Sequence, residues 1–127
     1  MSGGALRIHG HNRLENNAVA GIFIASGVGT FNNQIWWNDI VDNGIGIEAE
    51  DPGAGNYFHA ECNWWKDDLG PYDPTRPEEG GPPDYNNNTA GEPVSDFFWY
   101  RDPPENRIKG WLDKSMTDPT AQCTGGI

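Results

Sequence analysis

The chain has 127 residues, enough for one domain and too few for two of ordinary size. Seventeen glycines, ten prolines and thirteen asparagines make up about a third of it, and turn-favouring residues at that density exclude a mostly helical fold. Nineteen acidic against eight basic residues leave a formal charge of −11, which repels phosphate backbones and anionic lipid surfaces, so neither nucleic acid nor membrane is expected as a partner.

Hydrophobic residues are only 35% of the chain, but six tryptophans lie among its aromatics and supply the material of a small core. No apolar run approaches the ~18 residues that span a bilayer. Met1-Ser2-Gly3-Gly4 lacks the basic start and apolar stretch of a signal peptide, so an extracellular or periplasmic location is expected only if a longer parent protein is secreted.

Taken in chain order, stretches before residue 66 echo one another at an interval of about 25 residues. His9 to Asn17 lies over Ile35 to Asn43 when Asn12 is placed over Asn38. Each copy then continues with a similar phrase, Gly21-Ile22-Phe23-Ile24 and Gly44-Ile45-Gly46-Ile47, after three extra residues, Ala18-Val19-Ala20, in the first. A third, partial copy sets Cys62-Asn63-Trp64-Trp65 over Trp37-Asn38-Asp39-Ile40. A period of about 25 residues built from short alternating apolar pieces and turns predicts a solenoid of three short strands per coil. With leucine only at positions 6, 14, 69 and 112, the leucine-rich alternative fails.

In a parallel β-solenoid, equivalent residues of successive coils stack. Ile22 and Ile24 then point inward with Phe23 outward, and Ile45 and Ile47 inward with Gly46 and Glu48 outward. Leu14, Ile40 and Trp65 form one inward column, and Asn17 over Asn43 suits a ladder of stacked amides that also tolerates a left-handed backbone.

The Asn-x-Ile/Leu-x-x-Asn phrase, the Gly-Ile-x-Ile pieces, and Asn63-Trp64-Trp65 followed by Gly70-Pro71-Tyr72 resemble the carboxy-terminal coils of right-handed parallel β-helix proteins of the pectin-lyase-like class. Gly91 to Phe98 resembles the segment with which such chains finish after their last coil, and Lys66 stands where the class usually places a glycine. The resemblance spans roughly residues 5 to 103 and implies an all-β fold: a short right-handed single-stranded parallel β-helix of two to three coils, followed by an irregular wrapping segment. The coils are assigned to residues 1–65, and the loop and capping tail of the same domain to residues 66–127.

From Lys66 to Thr89 the chain is proline-rich and almost without apolar periodicity, so an irregular excursion is expected. Pro93 to Tyr100 is expected to return as a strand anchored by Val94, Phe97 and Trp99. Glu105 to Met116 carries Ile108, Trp111 and Leu112 at helical spacing, predicting a short amphipathic helix over the lower end of the stack. Cys62 and Cys123 suit one bridge pinning that tail, with free thiols as the alternative. The first coil, with Leu6, Ile8 and Leu14, has no comparable cover, which predicts a homo-oligomer or a longer solenoid above it.

Chemistry is sparse. Glycosidases need two carboxylates at a set separation across a groove. The acids of the coils, Glu15, Asp39, Glu48, Glu50 and Asp51, form no repeating outward pair, and the coils supply only Arg7 and Arg13 as bases for lyase chemistry, so no catalytic residue is assigned. His9 and His11 would share one face of a strand and could ligate a metal with a third group, but His59 is offset by a residue, and no metal site is assigned. No cofactor is expected; calcium at Glu48-Ala49-Glu50-Asp51 or Asp67-Asp68 is chemically reasonable without a spaced ligand pattern. Exposed aromatics offer flat apolar faces to sugars, and Phe23, Trp36 and Trp37, with Glu48 as an acceptor, are the candidate polysaccharide-binding residues; Tyr57 is a further aromatic expected outward. The expected function is a non-enzymatic β-solenoid module, structural or carbohydrate-interacting, that self-associates through its open first coil. The alternative is the carboxy-terminal part of a polysaccharide lyase or glycoside hydrolase whose catalytic coils lie upstream.

Overall fold

A computed structural model describes residues 7–25, 34–50, 58–74, 85–95, 98–101 and 109–126. Among them there are strands and turns and no helix: β1 (Arg7–His9), β2 (Arg13–Glu15), β3 (Ala20–Ile24), β4 (Gln34–Trp36), β5 (Asp39–Val41), β6 (Ile45–Ala49), β7 (Phe58–His59), β8 (Tyr72–Asp73), β9 (Asn86–Asn87) and β10 (Phe98–Trp99). Leu6, Asp51, Tyr57, Phe97 and residues 105–108 of the expected helix lie outside the described residues.

The first three strands pair in parallel with the next three, β1 with β4, β2 with β5 and β3 with β6, so two tiers of about 26 residues lie one on the other. Apolar stacking explains the register. Ile8 pairs with Ile35, Leu14 with Ile40 and Ile22 with Ile47, and the lower member of each pair is fully buried. A third tier is assembled from scattered pieces: Trp64 bridges Asp39 and Val94 bridges Ile47, both in parallel. β7 pairs in parallel with β10. Trp65, Phe58 and Tyr100, all 1% exposed or less, complete a core shared by residues on both sides of position 66.

The tiers turn at two corners, and both are built alike. Every non-glycine residue with positive φ among the described residues falls there: His11, Trp37 and Cys62 (φ 73, 57 and 60°) at the first, Asn16, Asp42 and Lys66 (φ 60, 58 and 73°) at the second. Side chains other than glycine, asparagine and aspartate adopt this left-handed region at a cost of about 1–3 kcal/mol, which the surrounding hydrogen bonds must offset. Those bonds are periodic. His11 N–H donates to Trp37 O, Trp37 N–H to Cys62 O and Cys62 N–H to Gly110 O.

The residue after each first-corner turn is an asparagine, and the three amides form a ladder. Asn12 Nδ2 donates to Asn38 Oδ1 at 3.0 Å and Asn38 Nδ2 to Asn63 Oδ1 at 3.1 Å, while the lower amides return a bond to the tier above, Asn38 Nδ2 to Ile8 O and Asn63 Nδ2 to Ile35 O. At the second corner Asn17 Nδ2 donates to Asn43 Oδ1 at 2.8 Å, and Asn43 Nδ2 to Glu92 Oε2 at 2.6 Å. A carboxylate therefore takes the third place in the second ladder.

Several expectations need correction. The first copy has one extra residue between Asn17 and β3, not three, because Ala20 pairs with Ile45 and Ile22 with Ile47 rather than with Ile45. The slip is two residues, so the faces assigned to Ile22, Phe23 and Ile24 are unaffected. Gly10 is an insertion at the first corner, which puts His9 beside Trp36 rather than Ile35. Gly46 is buried instead of outward, since a Cβ there would meet Glu92 Cγ at 2.6 Å and Ile40 Cγ2 at 2.9 Å. The return after the excursion is two short pieces, Pro93-Val94 bridging Tyr72 and Ile47, and β10 on β7, rather than one strand.

From Lys109 to Met116 the tail is not helical. Trp111 instead pairs antiparallel with Gly125, and Leu112 N–H donates to Asn63 O, as Trp64 N–H does to Asn38 O one tier above. The backbone at 110–112 therefore adds a rung under the first corner. A disulfide between Cys62 and Cys123 joins this folded-back tail to that corner.

Candidate functional site

β1 ends at His9 and β4 at Trp36. Beyond them Gly10 and His11 (φ 98 and 73°) and Trp37 (φ 57°) swing the chain round in the left-handed conformation. Consecutive side chains that would alternate on a strand thus border one hollow: a pocket of about 370 Å³ lined by His9, Gly10, His11, Trp36 and Trp37. His9 and His11 therefore meet through the turn and not through one face of a strand.

Four of the five lining residues carry rings. Trp36 Nε1 is buried with no hydrogen-bond acceptor among the described residues. Lys109 Nζ lies 4.8 Å from the centre of the Trp36 ring, a cation–π contact of about 0.5–2 kcal/mol depending on its hydration. No spacing in the sequence marks Lys109 as a neighbour of Trp36, because the tail reaches this corner only through the rung at 110–112.

The four candidate sugar-binding residues divide between two places. Trp36 and Trp37 share the pocket, whereas Phe23 and Glu48 are register partners in the β3–β6 sheet. Phe23 is 58% exposed and Glu48 half-buried, giving a second, flat pairing of an apolar ring with a carboxylate.

His59 Nδ1 lies 2.8 Å from Glu61 Oε1 and does not border the pocket. Of the acids considered for calcium, Asp67 Oδ1 accepts from Leu69 N–H and Asn88 Nδ2, which uses it in a turn. Among the described residues no three histidine, cysteine, aspartate or glutamate side chains are arranged to hold a metal ion.

Two buried carboxylates serve the architecture. Asp39, fully buried, accepts from Arg13 Nη1 at 2.8 Å, from Met116 N–H at 2.9 Å and from Ser115 Oγ, tying the first tier and the tail to the second. Glu92, 1% exposed, accepts from Asn43 N–H and Nδ2. Burial raises its pKa above the ordinary carboxylate value, and the bonds from Asn43 offset only part of that rise. Neither carboxylate lines the pocket. No family model, no curated protein and no solved structure matches the chain.

Proposed function

We propose that this chain is a stretch of right-handed parallel β-helix of the pectin-lyase-like class, acting as a non-catalytic module that binds polysaccharide at the first-corner pocket. The repeated parallel register, the two columns of left-handed corners and the amide ladders support the fold part of this reading, and parallel crossovers are overwhelmingly right-handed. Lys66, at φ 73°, occupies the position where that class carries glycine, the residue that adopts this conformation without penalty.

The observation that carries the functional part is the ring-walled pocket of His9, His11, Trp36 and Trp37. Sugar rings present C–H faces that stack on aromatic surfaces, and imidazole nitrogens at the rim exchange hydrogen bonds with hydroxyls. Affinity electrophoresis against a panel of soluble polysaccharides tests it. At least one polysaccharide should retard the native chain, and Trp37→Ala should weaken that binding tenfold or more with its far-UV spectrum unchanged. Absence of binding across the panel, or equal binding by the variant, would overturn the reading.

A further inference from the structure

The amide ladders have a direction, and it differs at their two ends. Wherever an asparagine lies under another at the second corner, or at the lower step of the first, the upper residue donates twice to one oxygen below. Asn38 N–H and Nδ2 both donate to Asn63 Oδ1, and Asn17 N–H and Nδ2 both donate to Asn43 Oδ1. Asn43 N–H and Nδ2 both donate to Glu92 Oε2. Glu92 has no side-chain N–H to pass downward, so the second ladder of amides stops there.

The upper end has no such stop. Asn12 Oδ1 and Asn17 Oδ1 receive no hydrogen bond among the described residues, although each amide donates downward. Around them β1, β2 and β3 pair only with β4, β5 and β6, leaving their other edges without strand partners among the described residues. Ile8 and Leu14 are only half-buried, where the residues beneath them, Ile35 and Ile40, are 0% exposed.

We propose that this upper edge is a docking surface for one kind of partner: a polypeptide coil running parallel to β1–β3 and carrying asparagines five residues apart, one over Asn12 and one over Asn17. The surface continues an interface already made between the tiers below, and it asks of its partner the same donors that each tier gives the next. The inference rests on the stacked-tier part of the proposed reading and is independent of the pocket.

A synthetic peptide of residues 34–49, which carries Asn38 and Asn43 at the required spacing, is the probe. Titrated into the full chain and followed by peptide fluorescence anisotropy, it should bind saturably. Replacing both its asparagines with alanine should weaken binding at least tenfold without changing its charge, and Asn12→Ala with Asn17→Ala in the protein should do the same. No binding, equal binding by the alanine peptide, or an edge already occupied by a second copy in sedimentation runs would overturn the proposal. Exchange protection of the Asp39 and Trp64 amides separates the two failures: if these amides are open, the stacked-tier reading itself fails; if they are protected and the peptide does not bind, only the docking proposal does.

Discussion

Between Asn12 and Asn63 one corner is held by the same amide three times over, whereas beyond residue 66 the equivalent places are filled by unlike groups. Glu92 stands in for an asparagine and Gly110 to Leu112 for a tier, and a disulfide pins the tail to the first corner. Repetition works while each tier has another beneath it. The last tier must satisfy the donors above it without offering new ones below, and a carboxylate and a pinned backbone do that where a fourth asparagine would leave an amide unpaired. The contrast yields a ranked set of expectations for the two regions.

The largest effect belongs to the terminal region. The Cys62–Cys123 bridge spans 61 positions, and in the chain-entropy model closing a loop of that size stabilises by about 4 kcal/mol. Reduction, or Cys123→Ser, should lower stability by an amount of that order in urea unfolding. Exchange protection should be lost first at Gly110, Trp111 and Gly125, with Asp39 and Ile40 still protected.

Next is the buried middle of the repeat. Asn63→Ala removes donors to Ile35 O and Ala60 O and the acceptor for Asn38, leaving several buried polar groups unpaired, so a loss of about 3 kcal/mol is expected. Asn12→Ala, at the exposed end of the same ladder, should cost less than about 1 kcal/mol. Equal costs would mean that the two ends are not chemically different.

Glu92 gives a smaller, pH-dependent effect. Its pKa is raised in the folded state, so the native chain holds this proton more tightly than the unfolded one, and its contribution to stability is full below the unfolded value and lost as pH rises through the folded value. Melting temperature should therefore fall with rising pH just above the ordinary carboxylate range, and Glu92→Gln should flatten that slope. The smallest effect is at Lys66, whose left-handed backbone favours glycine. Its ion pair with Asp42 lies between half-exposed side chains and adds little. Lys66→Gly should raise stability by about 0.5–1 kcal/mol in the same unfolding assay.

How much of this could be read from the residues differs between the regions for the same reason. The period, the stacking of Asn12, Asn38 and Asn63, and the column of Leu14 over Ile40 were legible because equivalent positions hold like residues. The register of β3 on β6 differs by two from the one the sequence suggests, because a Gly-Ile phrase recurs at the wrong interval and burial, which decides register, accepts either parity-preserving choice. Glu92 is not legible as a ladder member because it lies 49 residues beyond Asn43 and differs from it in type. The helical spacing of Trp111 and Leu112 misled because pairing with Gly125 and with Asn63 overrides local propensity. Of the candidate pocket, Trp36 and Trp37 are neighbours in the sequence, but their union with His9 and His11 depends on left-handed backbone at His11 and Trp37, which neither residue type announces.

The central claim is that successive tiers are stacked through the amide ladder, and side-chain amide contacts in a NOESY spectrum test it most directly. The account predicts cross-peaks linking the Asn38 NH₂ protons to those of both Asn12 and Asn63, with the Asn38 pair slow to exchange. An Asn38 amide that exchanges freely and shows contact to neither would contradict it.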